Sequence, residues 1–279
     1  MSNIRYGLRT INSYQHLGGQ VRPLIEGKSG VNFLLTKASN ATVAYSLRKL
    51  NPNYTGNCIK VRRTSDNSEL DIGFVNDYID TSSLSSFVGS SDGRVSAWYD
   101  QSGNDNHIYQ STGNAQPFII QSGKLLMYNN KVLIYFIPYT SFNITALNSK
   151  SFLDQYFVVS PAGDTIYLYP VSGGNFGYCA QTTNTLAKGY SSNSKLFANS
   201  QEFLGTTRSE LYYFINGYKL VEHRNASTIN WTAYNFAFYQ PSNLYSFSGY
   251  LQELVAFDND TTQVENDIRD DINSFYGIY

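Results

Sequence analysis

The polar run Asp100-Gln-Ser-Gly-Asn-Asp-Asn-His107 is the most obvious cluster of groups that could do chemistry. Asp100, Asp105 and nearby carbonyls offer the hard oxygens that calcium takes, which makes these two carboxylates the calcium candidates. The run lacks the closing bidentate Glu of a calcium loop. An architectural role explains the same residues: Trp98 leads in, Asp100 and Gln101 bond backbone groups of a long turn, Gly103 takes positive φ, and Asn104 and His107 close it. The sequence favours this second reading, and no cofactor is expected.

Other chemistries find little purchase. His16, His107 and His223 stand far apart with no His-x-x-x-His spacing, so a zinc site is not expected. A Ser-His-Asp triad is not expected either. Glycoside hydrolysis needs two flanking carboxyl groups, and Glu253 draws attention because it sits in the apolar run Gly249–Phe257, where burial favours an acid role. The competing expectation is a structural Glu held by an Arg or by amides. For sugar binding, an aromatic platform with amides suits a ring that has an apolar face and hydroxyl edges. Trp231, Tyr234, Tyr239 and Tyr245 with Gln240 and Asn243 are the candidates.

The elements that must position these groups read mostly as strands. Cys58–Arg63 alternates apolar and basic residues, Asp66-Asn67 supplies a turn, and Leu70–Phe74 returns. Val95–Tyr99, Val132–Tyr139, Gln155–Val159, Thr165–Val171 and Gly249–Phe257 follow as strands. Asn216-Gly217 predicts a hairpin between Tyr212–Ile215 and Tyr218–Val221. Helices are predicted near Ala41–Leu50, over Thr81–Val88, and after a Thr262–Glu265 capping box with Val264, Ile268 and Ile272 on one stripe. Gly277 ends the last one.

Composition bounds the partners. The chain has 279 residues, 15% of them charged, a formal charge of −1, and 24 Tyr and 17 Phe, so burial rather than ion pairing should dominate its stability. Lacking a basic run, it is not expected to bind nucleic acid or to insert in a membrane. Cys58 and Cys179 read as buried thiols rather than a disulfide. The start, Met1-Ser-Asn-Ile-Arg-Tyr-Gly, has no signal-peptide core, which predicts synthesis and retention in a cytoplasm.

The segments Ala44–Arg48, Tyr54–Gly56, Val61–Asn67, Asp71–Phe74 and Trp98–Gln110, with Gln116-Pro117, resemble in their order the jelly-roll domains of the concanavalin A and laminin G type. They look like the catalytic domain of arabinofuranosidase B and like structural proteins of tailed bacteriophages that share its fold. The resemblance implies an all-β, two-sheet antiparallel jelly-roll sandwich over residues 31–279 with a short C-terminal helix, preceded by a strand or docking arm over residues 1–30.

In that enzyme family the nucleophile is a Glu after a vicinal cysteine pair, and the acid/base is an Asp in a Gly-Gly-Asp-Asn stretch before the last strand. The corresponding segments here, Tyr167–Cys179 and Asn235–Gly249, contain no carboxylate. The resulting expectation is a non-catalytic virion protein of a tailed phage. It would be a homo-oligomer that contacts other virion proteins or host-surface glycans. An arabinofuranosidase-like hydrolase and a lectin-like module are the alternatives.

Overall fold

The computed structural model describes residues 14–17, 20–23, 33–144, 147, 150–162, 165–167, 178–180, 194–230 and 247–279. Backbone contacts divide the chain into Met1–Asn32 and Phe33–Tyr279. In the first unit, Tyr14–Leu17 pairs antiparallel with Gln20–Pro23.

The second unit is an antiparallel β-sandwich. Its main strands are β1 (Val43–Ser46), β2 (Ile59–Arg63), β3 (Glu69–Ile72), β4 (Gly93–Trp98), β5 (Phe118–Gln121), β6 (Ile134–Phe136), β7 (Ser151–Pro161), β8 (Lys195–Ala198), β9 (Lys219–Asn230) and β10 (Gly249–Phe257). They pair in the order β8-β9-β7-β10-β6-β5-β4-β2-β3, and β1 adds to the far half of β10. One apolar cluster collects Ile59, Val61 and Trp98 from one end of this path and Leu196 and Val221 from the other, so the strands close over a shared core.

Strand β10 is the hinge of the arrangement. Along one edge it pairs with β7; along the other it pairs first with β6 and then, after Gln252, with β1. The register of β7 against β10 shifts at this point, where Val158 faces Glu253 but Val159 faces Leu251. The extra residue reverses the alternation. Leu251 and Leu254 therefore both reach the central core, whereas Val255 and Phe257 join a second cluster beneath the C-terminal helix. Simple alternation along the run, which would put Leu251 on one face with Glu253, Val255 and Phe257, is broken for this reason.

The helices are α1 (Leu34–Lys37), α2 (Thr81–Val88), α3 (Arg208–Ile215) and α4 (Glu265–Tyr276). Helix α2 lies where expected, capped by Asp80, whose side chain accepts from the Ser83 amide. Helix α4 buries Ile268 and Ile272 and ends on Gly277 in the left-handed region, with Val264 half-buried at its N-cap. No capping box forms at Thr262, whose amide and hydroxyl go to Asp260 instead.

Two elements differ from expectation. Residues Val43–Ser46 form a strand rather than a helix, because the Ala44 amide donates to Asp100, its carbonyl accepts from Gln101 and its neighbours pair with β10. Residues Tyr212–Ile215 complete α3 rather than a hairpin strand. A capping box between Thr207 and Glu210 starts that helix, and Leu211, Tyr212 and Ile215 bury one face of it. Asn216-Gly217, with Gly217 at φ +92°, is thus a helix-to-strand turn. No helix among the described residues is long and apolar enough to cross a membrane.

Candidate functional site

The turn after β4 is tied down at Asp100, Gln101, Ser102, Asn104, Asn106 and His107. Asp100 Oδ1 accepts from the amides of Ala44 (2.8 Å) and Ser102 (3.0 Å), and Oδ2 accepts from Ser102 Oγ (2.6 Å) and the Asn106 amide (3.1 Å). Gln101 accepts from the Leu50 amide and donates to the carbonyls of Ser46 and Arg48. His107 Nδ1 accepts from the Asp100 amide at 3.0 Å, which leaves the ring proton on Nε2. Trp98 is buried against Tyr45 and Phe142, and Gly103 sits at φ +92°. These bonds fix the loop to residues 42–50 and leave Asp100 no open position for a cation. The Asp105 side chain is 92% exposed. Among the described residues no group of three or more His, Cys, Asp and Glu side chains could hold a metal ion.

Holding this turn against residues 39–42 creates a polar cleft of about 550 Å³, closed by Lys150, Ser151 and Asp258. Asn104 and Asn106 form its wall, each donating through Nδ2 to the Thr42 carbonyl. Its lining is amide and hydroxyl with one ammonium and one carboxylate, a surface suited to hydroxyl groups.

Of the chain's 21 acidic residues, only Glu26 and Asp164 lie outside the described residues. Glu253 is fully buried, and Arg48 grips it through Nε (2.8 Å) and a second nitrogen (3.0 Å), with Ser46 and Tyr276 also donating. This is the structural Glu, not an exposed acid. Asp271 lies 2.6 Å from the same arginine, and burial raises its pKa. Glu222 is held by Arg269, and Asp154, whose pKa burial also raises, accepts twice from Thr261.

Asp66, Asp71, Asp80, Asp92, Glu202, Glu210, Asp260, Glu265 and Asp267 are engaged by neighbouring donors at the surface. Of the five left besides Asp100, Glu69, Asp77 and Asp270 are not among the residues lining the cleft, Asp258 lines it, and Asp105 lies between two residues that do.

Gly89-Ser-Ser-Asp-Gly93 has Gly-x-Ser-x-Gly spacing but runs from α2 into β4, the reverse of a strand-to-helix nucleophile elbow, and Ser91 Oγ bonds Thr64. His223 is fully buried, and burial lowers its pKa to about 3. Burial pushes the Cys58 thiol up. The platform candidates Trp231, Tyr234, Tyr239, Gln240, Asn243 and Tyr245 lie outside the described residues, as does the His16 side chain. Sequence reasoning missed Lys150 and Asp258 because isolated charges in loops carry no pattern.

Residues 36–125 match the family described as Alpha-L-arabinofuranosidase B, catalytic. Three solved structures are similar across most of the chain. A GH54 α-L-arabinofuranosidase soaked with a cyclic sulfate inhibitor has a TM-score of 0.55 at 14% identity, covering 89% of this chain and 66% of that one. An arabinofuranosidase complexed with arabinofuranosyl-α-1,2-xylobiose has 0.52 at 15%, covering 89% and 65%. A GH54 mutant soaked with 4-nitrophenyl α-L-arabinofuranoside has 0.52 at 14%, covering 88% and 65%.

The chain has the fold of these enzymes. It spans about two thirds of their length, 65–66%. No curated protein matches its sequence. The expectation of a non-catalytic phage virion protein is thereby corrected, since the matched family and the matched structures are glycoside hydrolases and nothing found is viral.

Proposed function

We propose that the chain is an arabinofuranosidase-like glycoside hydrolase domain with a concanavalin A-like jelly-roll fold, acting on terminal arabinofuranosyl groups. What carries this reading is that the family match, residues 36–125, includes the two loops that wall the polar cleft, 39–42 and 102–106. The structural likeness extends the same fold over 89% of the chain.

Since Tyr167–Cys179 and Asn235–Gly249 hold no carboxylate, the reaction needs its acids from elsewhere. Among the described residues, elimination leaves Asp258 lining the cleft and Asp105 beside it. Glycoside cleavage places two carboxyl groups beside the scissile bond: one gives a proton to the leaving oxygen, while the other attacks the anomeric carbon or takes a proton from the attacking water. The amides of Asn104 and Asn106 and the Lys150 ammonium would bond sugar hydroxyls.

The test is release of 4-nitrophenol from 4-nitrophenyl α-L-arabinofuranoside by pure protein. Turnover is expected, and Asp258→Asn and Asp105→Asn should each lower it by roughly 100-fold or more, the scale of a lost general acid or base. Absence of turnover on this substrate and on arabinan would overturn the reading. Turnover indifferent to both substitutions would move the acids elsewhere.

A further inference from the structure

A second groove, of about 490 Å³, lies between the loop that follows α3 and the end of α4. Its walls are Tyr128, Asn129, Asn216, Tyr218 and Lys219, with Gly277 and Ile278 at the base. Tyr128 and Tyr218 stack with ring centroids 4.4 Å apart and planes at 39°. Tyr128 remains 45% exposed, so the part of its ring not laid on Tyr218 faces water.

This platform is built rigidly. Strands Met127–Tyr128 and Lys131–Val132 pair with a two-residue loop, Asn129-Asn130, both at positive φ, the geometry of a tight hairpin turn. Asn129 Nδ2 donates to the Tyr276 carbonyl at 2.7 Å, pinning the hairpin tip to the end of α4. The Tyr218 hydroxyl donates to Gln252, whose Nε2 donates in turn to the Val132 carbonyl at 3.0 Å. Lys131 lies 3.9 Å over the Phe275 ring, fixing the second hairpin strand to the same helix. Both rings are therefore held in place before any ligand arrives, which removes part of the ordering cost of binding.

We infer that the Tyr128–Tyr218 groove is an oligosaccharide-binding subsite separate from the cleft beside Asp258. A sugar ring offers an apolar C–H face that stacks on an aromatic ring, and hydroxyl edges that need donors and acceptors beside it. The groove supplies both: the open part of Tyr128 for the face, and the amide of Asn216 and the ammonium of Lys219 for the edges. It has no carboxylate among its lining residues, so it binds without cleaving. The choice of arabinose-bearing glycans as ligand rests on the hydrolase reading, while the platform itself does not.

Affinity electrophoresis of the full chain in native gels containing arabinan or arabinoxylan tests it. Wild type and Tyr128→Phe should be retarded alike. Tyr128→Ala should weaken binding roughly tenfold, about the worth of one stacked ring, with the protein still folded, its unfolding temperature lowered only by the lost Tyr128–Tyr218 stack, and with unchanged hydrolysis of the small aryl substrate. Retardation that survives Tyr128→Ala, or no retardation by either polymer, overturns the groove. Retardation lost with Tyr128→Ala in a protein that turns over no arabinofuranoside upholds the groove and sinks the hydrolase reading alone.

Discussion

Arg48 and Glu253 face each other beneath α4 as a two-pronged ion pair, at 2.8 and 3.0 Å, with the arginine 4% and the glutamate 0% exposed. The pair sits where β1 meets β10, and Asp271 on α4 reaches the same arginine. It therefore joins two strands and a helix through one guanidinium. Glu253→Gln should destabilise the protein by about 3 kcal/mol, because it leaves a buried cation short of a partner. Chemical denaturation would show this, and any loss of activity should follow the loss of folded protein.

Asp100→Ala removes an acceptor from four donors at once, two of them in buried backbone. A loss of about 2–4 kcal/mol is expected, read as a lower Tm, since buried amides left unpaired cost more than the bond itself contributed. The cleft wall formed by Asn104 and Asn106 should loosen with it. A variant that keeps its Tm and loses a bound cation would show the turn to be a metal site.

His223 predicts an acid sensitivity. Its folded pKa is about 3 against 6.5 for the free side chain, so between those values the unfolded chain binds a proton that the folded chain refuses. Stability due to this group is complete above pH 6.5 and falls as pH drops toward 3, by about 1.4 kcal/mol per pH unit. Urea denaturation from pH 7 to pH 4 should show a shallower decline for His223→Asn than for wild type.

Thr207→Ala tests the capping box that starts α3. Its hydroxyl accepts from the Glu210 amide at 3.2 Å, and removal should cost about 1 kcal/mol. Ile268→Ala, which hollows the packing of α4 on the sheet, should cost about 2–5 kcal/mol, because the side chain is 1% exposed. Thermal or urea unfolding separates the two.

How far the sequence reached depended on range. The strands Cys58–Arg63, Val95–Tyr99 and Gly249–Phe257 and the helices at Thr81–Val88 and after Thr262 were legible because alternation and apolar stripes are written in adjacent residues, although the capping box expected at Thr262 does not form. The order of blocks around Trp98–Gln110 resembles the catalytic domain of arabinofuranosidase B, and that resemblance pointed to the fold. Local signals failed where distant partners outvoted them. Helical spacing at Val43–Leu50 gave way to strand pairing with β10, fifty and more residues from the Asp100 and Gln101 side chains that also claim its backbone.

The choice between catalysis and adhesion was misread for a related reason. Two carboxyl-free segments looked decisive, yet what lines a cleft is a property of loops brought together from residues 39–42, 102–106, 150–151 and 258. Likewise, the burial of Glu253 was foreseeable from its apolar strand, but its grip by Arg48, 205 positions earlier, was not. Nor was the stacking of Tyr128 on Tyr218 across 90 residues of chain. Hydrophobic period is short-range physics that the sequence determines by itself; ion pairs, clefts and aromatic platforms, and the turn at Asn216-Gly217, depend on which elements find each other, and only the folded chain decides that.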